Sequence, residues 1–260
     1  VGGLPDFPVH LISKNSLQFR LLMLLKNLVN QYQKKYVRRI KQAFKKVDLV
    51  LSATKENQLE IEKHFDRKSF YMPENGLLDT NISDKKQKSQ IGLNLLWVGD
   101  DSLRKGLEIF LECLDERFAQ FEVSVDIVGV RDITIANKDL LDIITCHGRI
   151  ARDEVTSLYE KADLLVITSL MEGNPTIVWE ALEKSLPIVY LNHCGMKDVL
   201  NKNIGVPINI FNRNQLVDDL KKTLLSFAAD PHQLNDLRKN ISTQNKEFGW
   251  LKRSKLWKDI

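Results

Sequence analysis

The chain has 260 residues, of which 43% are apolar and 28% charged, and its formal net charge is +4. The length suffices for one large or two smaller domains, and the composition is ordinary for a soluble globular protein. There is no run of about 18 apolar residues and no signal-peptide pattern at the Val-Gly-Gly-Leu-Pro start, which also lacks an initiator Met. We therefore expect a cytoplasmic protein, and a fragment of a longer one.

The basic charge is concentrated in one segment. Residues 14–46 contain ten of the 38 Lys and Arg residues and no Asp or Glu. Leu17, Leu21, Leu24 and Leu28 recur there at helical spacing, which predicts a helix over residues 16–46. Leucines beside lysines fit peripheral contact with an anionic membrane on the cytoplasmic face, or else a helix packed on a first domain. Interleaved aromatics and nucleic-acid motifs are missing, so we expect no nucleic-acid binding.

The next elements belong to a short α/β piece. Residues 47–52 read as a strand, and residues 54–65 as a helix capped by Thr54. A turn cluster follows at residues 72–76, and a polar stretch at residues 79–92 reads as a linker. One strand and a few helices are too little for a complete sheet. Residues 1–78 are thus interpreted as part of an incomplete domain.

Beyond the linker, strands and helices alternate. Strands are predicted at 93–98, 121–128, 143–147, 163–168, 187–191 and 206–210. Helices are predicted at 103–118, 151–161 and 176–184, with more from 214 onward. This alternation predicts an α/β, Rossmann-like domain at 93–242 with a doubly wound parallel sheet, whose ligands bind at the carboxyl ends of the strands. Residues 243–260 are predicted to form a helix that returns to the first domain.

Two strand-to-helix loops carry the candidate chemistry. In the first, Gly173-Asn174-Pro175 leads into a helix whose N-terminal N–H groups suit a diphosphate, with Thr176 as a possible cap. Glu172 and Glu180 flank this loop and can accept hydrogen bonds from sugar hydroxyls. In the second loop, Arg104 and Lys105 follow the strand at 93–98 and can neutralise phosphate. The alternative is that these glutamates and cations are simply solvated.

Together the two loops resemble the group 1 family of retaining glycosyltransferases, which have the GT-B fold. Glu172 and Glu180 match the family's E-x(7)-E motif, within Ser-Leu-Met-Glu-Gly-Asn-Pro at 169–175. Further matching segments are Gly-Arg-Ile at 148–150, Leu-Pro-Ile-Val at 186–189 and Gly-Met-Lys-Asp-Val at 195–199. Gly-Gly-Leu-Pro at 2–5 is similar to a glycine-rich loop of the family's first domain. The match covers roughly residues 93–210.

The resemblance implies roles for individual residues. Glu172, which would contact the donor sugar, and Lys105, which would hold the diphosphate, are the implied catalytic residues. The implied donor-binding residues are Arg104, Gly99, Ile150, Gly173, Asn174, Pro175, Thr176 and Glu180, with Glu180 on the ribose and Ile150 at the base. Two positions depart from the family: Asp100 stands where Arg is frequent, and Ser185 stands where Gly precedes Leu-Pro.

Histidines and cysteines do not suggest a metal site. No His pair has a metal-ligand spacing, and Cys113, Cys146 and Cys194 show neither a CxxC pattern nor a disulfide framework. His193 and Cys194 are adjacent, so in a strand their side chains would point to opposite faces. Trp97 and Trp179 are expected in the core.

The resemblance thus implies a retaining, metal-independent hexosyltransferase of polysaccharide biosynthesis, without a cofactor. The donor would be a UDP- or GDP-linked sugar, and the acceptor a hydroxyl of a glycan or a lipid-linked molecule. The alternatives are a non-catalytic nucleotide-sugar-binding protein, which Asp100 suggests, and a sugar-nucleotide epimerase of the same fold. The 260 residues alone are expected to bind UDP or GDP weakly and to transfer nothing.

Overall fold

The computed structural model describes residues 5–13, 16–77, 92–135, 138–250 and 254–255. Most of the predicted linker at 79–92 lies outside these residues, as do Gly2, Gly3 and Leu4 of the predicted glycine-rich loop and most of the chain after Trp250.

The first segment forms a small α/β unit. Its elements are α1 (Leu17–Tyr36), α2 (Arg38–Lys46), β1 (Leu51–Ser52), α3 (Lys55–Phe65) and β2 (Phe70–Tyr71). The predicted helix at 16–46 is in fact two helices, because Val37 adopts an extended conformation between them. β1 and β2 pair in parallel, and the Thr54 side chain caps α3 as predicted by accepting from the Asn57 N–H.

One face of α1 is buried and the other is not. Met23 and Lys34 are buried against the rest of the protein, and the Lys34 ammonium donates to Glu60 at 2.6 Å. On the opposite face, large apolar residues have roughly half or more of their surface exposed to solvent. They are Leu17, Leu21, Leu22, Leu24, Leu25, Leu28, Val29, Tyr32 and Tyr36. We call this set the leucine face of α1.

The second segment contains a six-stranded parallel sheet. Its strands are β3 (Leu93–Val98), β4 (Val123–Val128), β5 (Ile144–Gly148), β6 (Leu164–Ile167), β7 (Ile188–Leu191) and β8 (Gly205–Ile208). They lie in the order β5-β4-β3-β6-β7-β8. Every residue of β6 and β7 is buried, as expected where helices cover both faces of a parallel sheet. The predicted doubly wound α/β fold is confirmed.

Helices cover this sheet on both faces. They are α4 (Leu107–Cys113), α5 (Arg152–Lys161), α6 (Thr176–Glu183), α7 (Met196–Val199), α8 (Arg213–Ala229) and α9 (Leu234–Phe248). The helix predicted at 103–118 is wrong in detail: it is a 3-10 turn at Leu103–Lys105, then α4, then a second 3-10 turn at Glu116–Gln120. Gly106 interrupts it with φ +67°. The helix α9 begins at Leu234 and continues across the domain boundary predicted after residue 242.

The end of α9 touches the first segment. The N–H of Leu77 donates to the Phe248 carbonyl at 3.1 Å, and the N–H of Trp250 donates to the Leu77 carbonyl at 3.3 Å. The Phe248 ring also packs edge-on against Trp179, with ring centroids 6.0 Å apart. These contacts attach Leu77, at the end of the first segment, to the end of α9, and the end of α9 to α6.

Candidate functional site

The topology brings the two candidate loops together. After β3 the chain winds outward through β4 and β5, then returns to β6 on the other side of β3. The strand order therefore reverses between β3 and β6, and ligands of such sheets bind in the crevice at the carboxyl ends of the strands at this point. Arg104 and Lys105 follow β3, and Glu172 follows β6, so both loops open onto that crevice.

At this crevice, two cations meet one carboxylate. Lys105 Nζ lies 2.7 Å and Arg104 Nη1 lies 2.8 Å from Glu172 Oε1, and Arg104 also donates to the Met171 carbonyl at 3.1 Å. The side chains of Lys105 and Glu172 are only 14% and 12% exposed, while Arg104 is 39% exposed. The residues predicted to bind phosphate and sugar are thus neighbours, and the Glu172 carboxylate offsets one of the two positive charges.

Close backbone packing holds the Lys105 loop in place. A Cβ on Gly106 would lie 2.2 Å from the Thr168 carbonyl oxygen, so only glycine permits this approach. The Leu170 N–H donates to the Arg104 carbonyl at 2.8 Å, and the Thr168 hydroxyl donates to the Lys105 carbonyl at 3.2 Å. The Trp97 indole N–H in turn donates to the Thr168 hydroxyl at 3.0 Å. These bonds connect the loops after β3 and β6 directly.

The loop before α6 is fixed by Asn174. The Asn174 side-chain oxygen accepts from the Trp179 indole N–H at 2.7 Å. The Asn174 carbonyl accepts from the Asn75 side chain at 2.9 Å, and its amide donates to the Asn75 carbonyl at 3.4 Å. Asn75 belongs to the first segment, so these bonds cross between the two segments. The predicted cap is wrong: Pro175 occupies the N-cap position, and Thr176 is the first helical residue.

Glu180 lies just over one turn into α6 and has different partners. Its Oε2 accepts from the buried Tyr159 hydroxyl at 3.0 Å, and its Oε1 is 3.9 Å from the guanidinium of the exposed Arg152. Burial, and then the charge of Glu180, raise the pKa of Tyr159, so this phenol stays protonated and acts as a donor. One carboxylate oxygen of Glu180 is therefore positioned by Tyr159, and the other faces a weakly held, exposed cation.

The other predicted donor-binding positions lie along the same sheet edge. Gly99 directly follows β3, and its carbonyl oxygen would be 2.1 Å from a Cβ on Gly129. Ile150 follows β5 and is half-buried. Gly173 is exposed, and nothing lies within 4 Å of a Cβ placed on it. Pro175 is buried at the start of α6.

The hydrogen bonds of the Asp100 carboxylate go to Ser102 rather than to Arg104 and Lys105. Its carboxylate accepts from the N–H of Ser102 at 3.0 Å and, at shorter range, from the Ser102 hydroxyl. The hydroxyl bond is the main cause that lowers the pKa of Asp100. The side chain therefore closes the turn before the 3-10 helix at Leu103–Lys105.

One cluster near the crevice contradicts the sequence interpretation. The ligand atoms of Glu56, His193 and Cys194 lie within 4.8 Å of one another. The expectation that His193 and Cys194 point to opposite faces is wrong, because β7 ends at Leu191 and Cys194 has φ +51°. Burial raises the pKa of Cys194 to about 12 and lowers that of His193 to about 4. Sequence spacing could not have found this cluster, since 137 positions separate Glu56 from His193.

A cavity of about 270 Å³ connects this cluster with the candidate donor site. Glu56, Asn57 and Cys194 line it together with Arg104 and Glu172. A larger cavity of about 670 Å³ lies elsewhere, between α4 and the loop after β4. Its lining is largely leucine and isoleucine with an acidic rim. We place the candidate chemistry at the smaller cavity because the paired charges open onto it.

Comparison with known proteins identifies the family. The family described as "Glycosyl transferases group 1" matches residues 79–248, and the chain belongs to that family. A curated relative is the amylovoran biosynthesis glycosyltransferase AmsK of Erwinia amylovora. It is 28% identical over 128 residues, which cover 44% of this chain and 31% of AmsK.

Solved glycosyltransferases of the GT-B type share the fold. The pneumococcal O-GlcNAc transferase GtfA, solved in complex with UDP and GlcNAc, has a TM-score of 0.64 and 16% identity, covering 88% of this chain and 46% of GtfA. Anabaena HepE, solved with UDP and glucose, has a TM-score of 0.61 and 14% identity, covering 82% of this chain and 62% of HepE. The chain thus spans less than two thirds of each relative. Among the described residues, no helix is long and apolar enough to cross a membrane.

Proposed function

We propose that this chain carries the donor site of a retaining glycosyltransferase. It would transfer a hexosyl group from a UDP- or GDP-linked sugar to a hydroxyl of a glycan or a lipid-linked acceptor, as in polysaccharide biosynthesis. The observation that carries the proposal is the pairing of Lys105 and Arg104 with Glu172 at the point where the strand order reverses. Membership of the group 1 family and the nucleotide complexes of GtfA and HepE support it.

The paired charges suggest how the donor is held. A diphosphate that takes Lys105 and Arg104 as its counter-ions leaves the Glu172 carboxylate without them, and the hydroxyls of the attached sugar can then donate to it. The N-terminus of α6 adds backbone donors and a partial positive charge. As the bond to the sugar breaks, negative charge grows on the diphosphate, where these groups already point. Such a site requires neither a cofactor nor a bound metal for transfer.

Glu180 would receive the ribose. Its carboxylate is oriented by the Tyr159 hydroxyl, while its contact with Arg152 at 3.9 Å is long and exposed. A ribose diol can therefore replace Arg152 without loss of a buried ion pair. Ile150, at the end of β5, would contact the base through its backbone.

The first segment would belong to the acceptor-side domain. Parallel sheets are normally buried on both faces, yet the described first segment has only the two-stranded β1–β2 pair and an exposed leucine face. We infer that residues 1–78 complete a larger α/β domain, residues 79–92 link it to the donor domain at 93–242, and residues 243–260 return to it. The leucine face would pack inside that domain or, with Lys26 and Lys35, contact an anionic membrane at the cytoplasmic side.

Nucleotide binding and transfer test different parts of the proposal. In isothermal titration calorimetry, the 260-residue chain should bind UDP or GDP weakly, and no glycosyl transfer should be detected with this chain alone. If neither UDP nor GDP gives a heat of binding, the donor-site assignment is contradicted. Epimerised sugar nucleotide as product would favour the epimerase alternative. Equal sedimentation with neutral and anionic vesicles at low salt would exclude the membrane contact.

A further inference from the structure

The cluster of Glu56, His193 and Cys194 combines three kinds of metal ligand. A carboxylate oxygen, an imidazole nitrogen and a thiol sulfur lie within 4.8 Å of one another. Tetrahedral zinc, with bonds of 2.0–2.3 Å, needs ligand atoms roughly 3.5 Å apart. Side-chain rotations that move the ligand atoms by about 1 Å would bring them to that spacing.

Two of the three side chains also carry a buried polar atom without a hydrogen-bond partner. Glu56 Oε2 and His193 Nε2 are both inaccessible to solvent and accept or donate no hydrogen bond. A buried polar atom in this state costs free energy unless something occupies the space in front of it. Lys197 Nζ approaches Glu56 Oε2 only to 3.8 Å, and the Lys197 side chain is 40% exposed, so it can move aside into solvent.

We propose that Glu56, His193 and Cys194 form a binding site for a divalent transition metal of the zinc class. Thiolate and imidazole ligands favour Zn²⁺ or Co²⁺ over Mg²⁺ and Ca²⁺, which prefer oxygen. Three protein ligands leave one position open, and the cavity shared with Arg104 and Glu172 gives solvent or a hydroxyl access to it.

This metal would join the two segments of the chain. Glu56 lies in the first turn of α3, while His193 and Cys194 follow β7 in the second segment. The Gly195 N–H donates to the Glu172 carbonyl at 3.2 Å, so the metal-binding loop is attached to the donor loop. A bound ion would hold α3 against that loop and thereby restrain movement of the first segment.

Titration with Co²⁺, in chain freed of any histidine tag, tests the site directly. Thiolate ligation gives cobalt a charge-transfer absorption, which we expect to saturate at one ion per chain and to disappear when Zn²⁺ displaces the cobalt. Cys194→Ser should abolish this absorption, and Glu56→Gln and His193→Gln should each weaken Co²⁺ binding at least tenfold. The matched control is Cys146→Ser, which removes a more accessible thiol and should change nothing.

Thermal unfolding tests the connection between the segments. Zn²⁺ binds only the folded site, so it should raise the Tm of the unmodified chain, and this rise should disappear in Glu56→Gln. No charge-transfer band in the unmodified chain, or a band kept in Cys194→Ser, would overturn the proposal. If Zn²⁺ raised the Tm of Glu56→Gln as much as that of the unmodified chain, the proposed connection between the segments would be overturned. This test holds even if Cys194→Ser fails to fold. None of these readouts depends on nucleotide binding or transfer.

Discussion

Removal of Lys105 gives the sharpest test of the donor site. Lys105 Nζ is 2.7 Å from Glu172 Oε1 and its side chain is largely buried, so its charge is screened little by solvent. A hydrogen bond to a charged group contributes roughly 1.5–3 kcal/mol, which corresponds to roughly a 10- to 150-fold change in Kd. The lower end applies here, because nucleotide binding must first break the Lys105–Glu172 pair. We expect Lys105→Ala to weaken UDP or GDP binding about tenfold or more.

Isothermal titration calorimetry at two salt concentrations measures this effect. The matched control is Lys184→Ala, which removes another lysine–glutamate pair, with Glu160, on the surface between α5 and α6. Exposed pairs of that kind contribute about 1 kcal/mol or less to stability, so the fold should be kept. Neither residue belongs to the candidate site, so nucleotide binding should not change. If Lys105→Ala binds nucleotide within twofold of the unmodified chain, the reasoning about the site is wrong.

Four further outcomes are expected. In the full-length protein, Glu172→Ala and Glu180→Ala should each lower transfer, by roughly 1.5–3 kcal/mol of lost hydrogen bonding, with unchanged circular dichroism. Gly195→Ala should lower the Tm and abolish nucleotide binding, because the added Cβ would lie 1.4 Å from the Gly173 carbonyl oxygen. The control Gly173→Ala should leave the Tm unchanged, because nothing lies within 4 Å of a Cβ at that position. Ser185→Gly should stabilise the fold by about 1 kcal/mol in urea unfolding, since Ser185 has φ +49° and a buried hydroxyl without a partner. Transfer by the full-length protein should continue in EDTA, and its complete loss, restored by Mn²⁺, would refute metal-independent transfer.

Much of the second segment could be predicted from hydrophobic patterning. The strand at 93–98 has the predicted bounds, and the other five strands of this segment differ by one or two residues at an end, because buried parallel strands are nearly continuous apolar runs. Trp97 and Trp179 are buried as expected. The helix predicted at 103–118 was wrong because its apolar spacing continues through Gly106, while close approach to Thr168 forces a left-handed turn there.

The candidate site was only partly accessible to sequence reasoning. Strand-end loops could be placed on one sheet edge by a general rule, which brought Lys105 near Glu172. The rule could not show that these two residues pair, nor that Tyr159 orients Glu180, since such contacts depend on side-chain geometry. It also gave no means to connect Glu56 with His193 and Cys194. The sequence shows that Ser185 stands where the family has glycine. Only the structure shows the reason this matters, which is a left-handed backbone conformation that glycine adopts without strain.

The bonds between Asn75 and Asn174 have a consequence for communication within the molecule. Asn75 lies just before the proposed linker, and Asn174 precedes the first turn of α6. Rotation of the first segment about this linker would therefore pull on the end of the helix where we propose that the diphosphate binds. A donor that prefers one position of this loop would then favour one orientation of the first segment. By thermodynamic reciprocity, an acceptor that favours that orientation would tighten donor binding by the same factor. Two amide side chains would in this way make the affinities of the two substrates depend on each other.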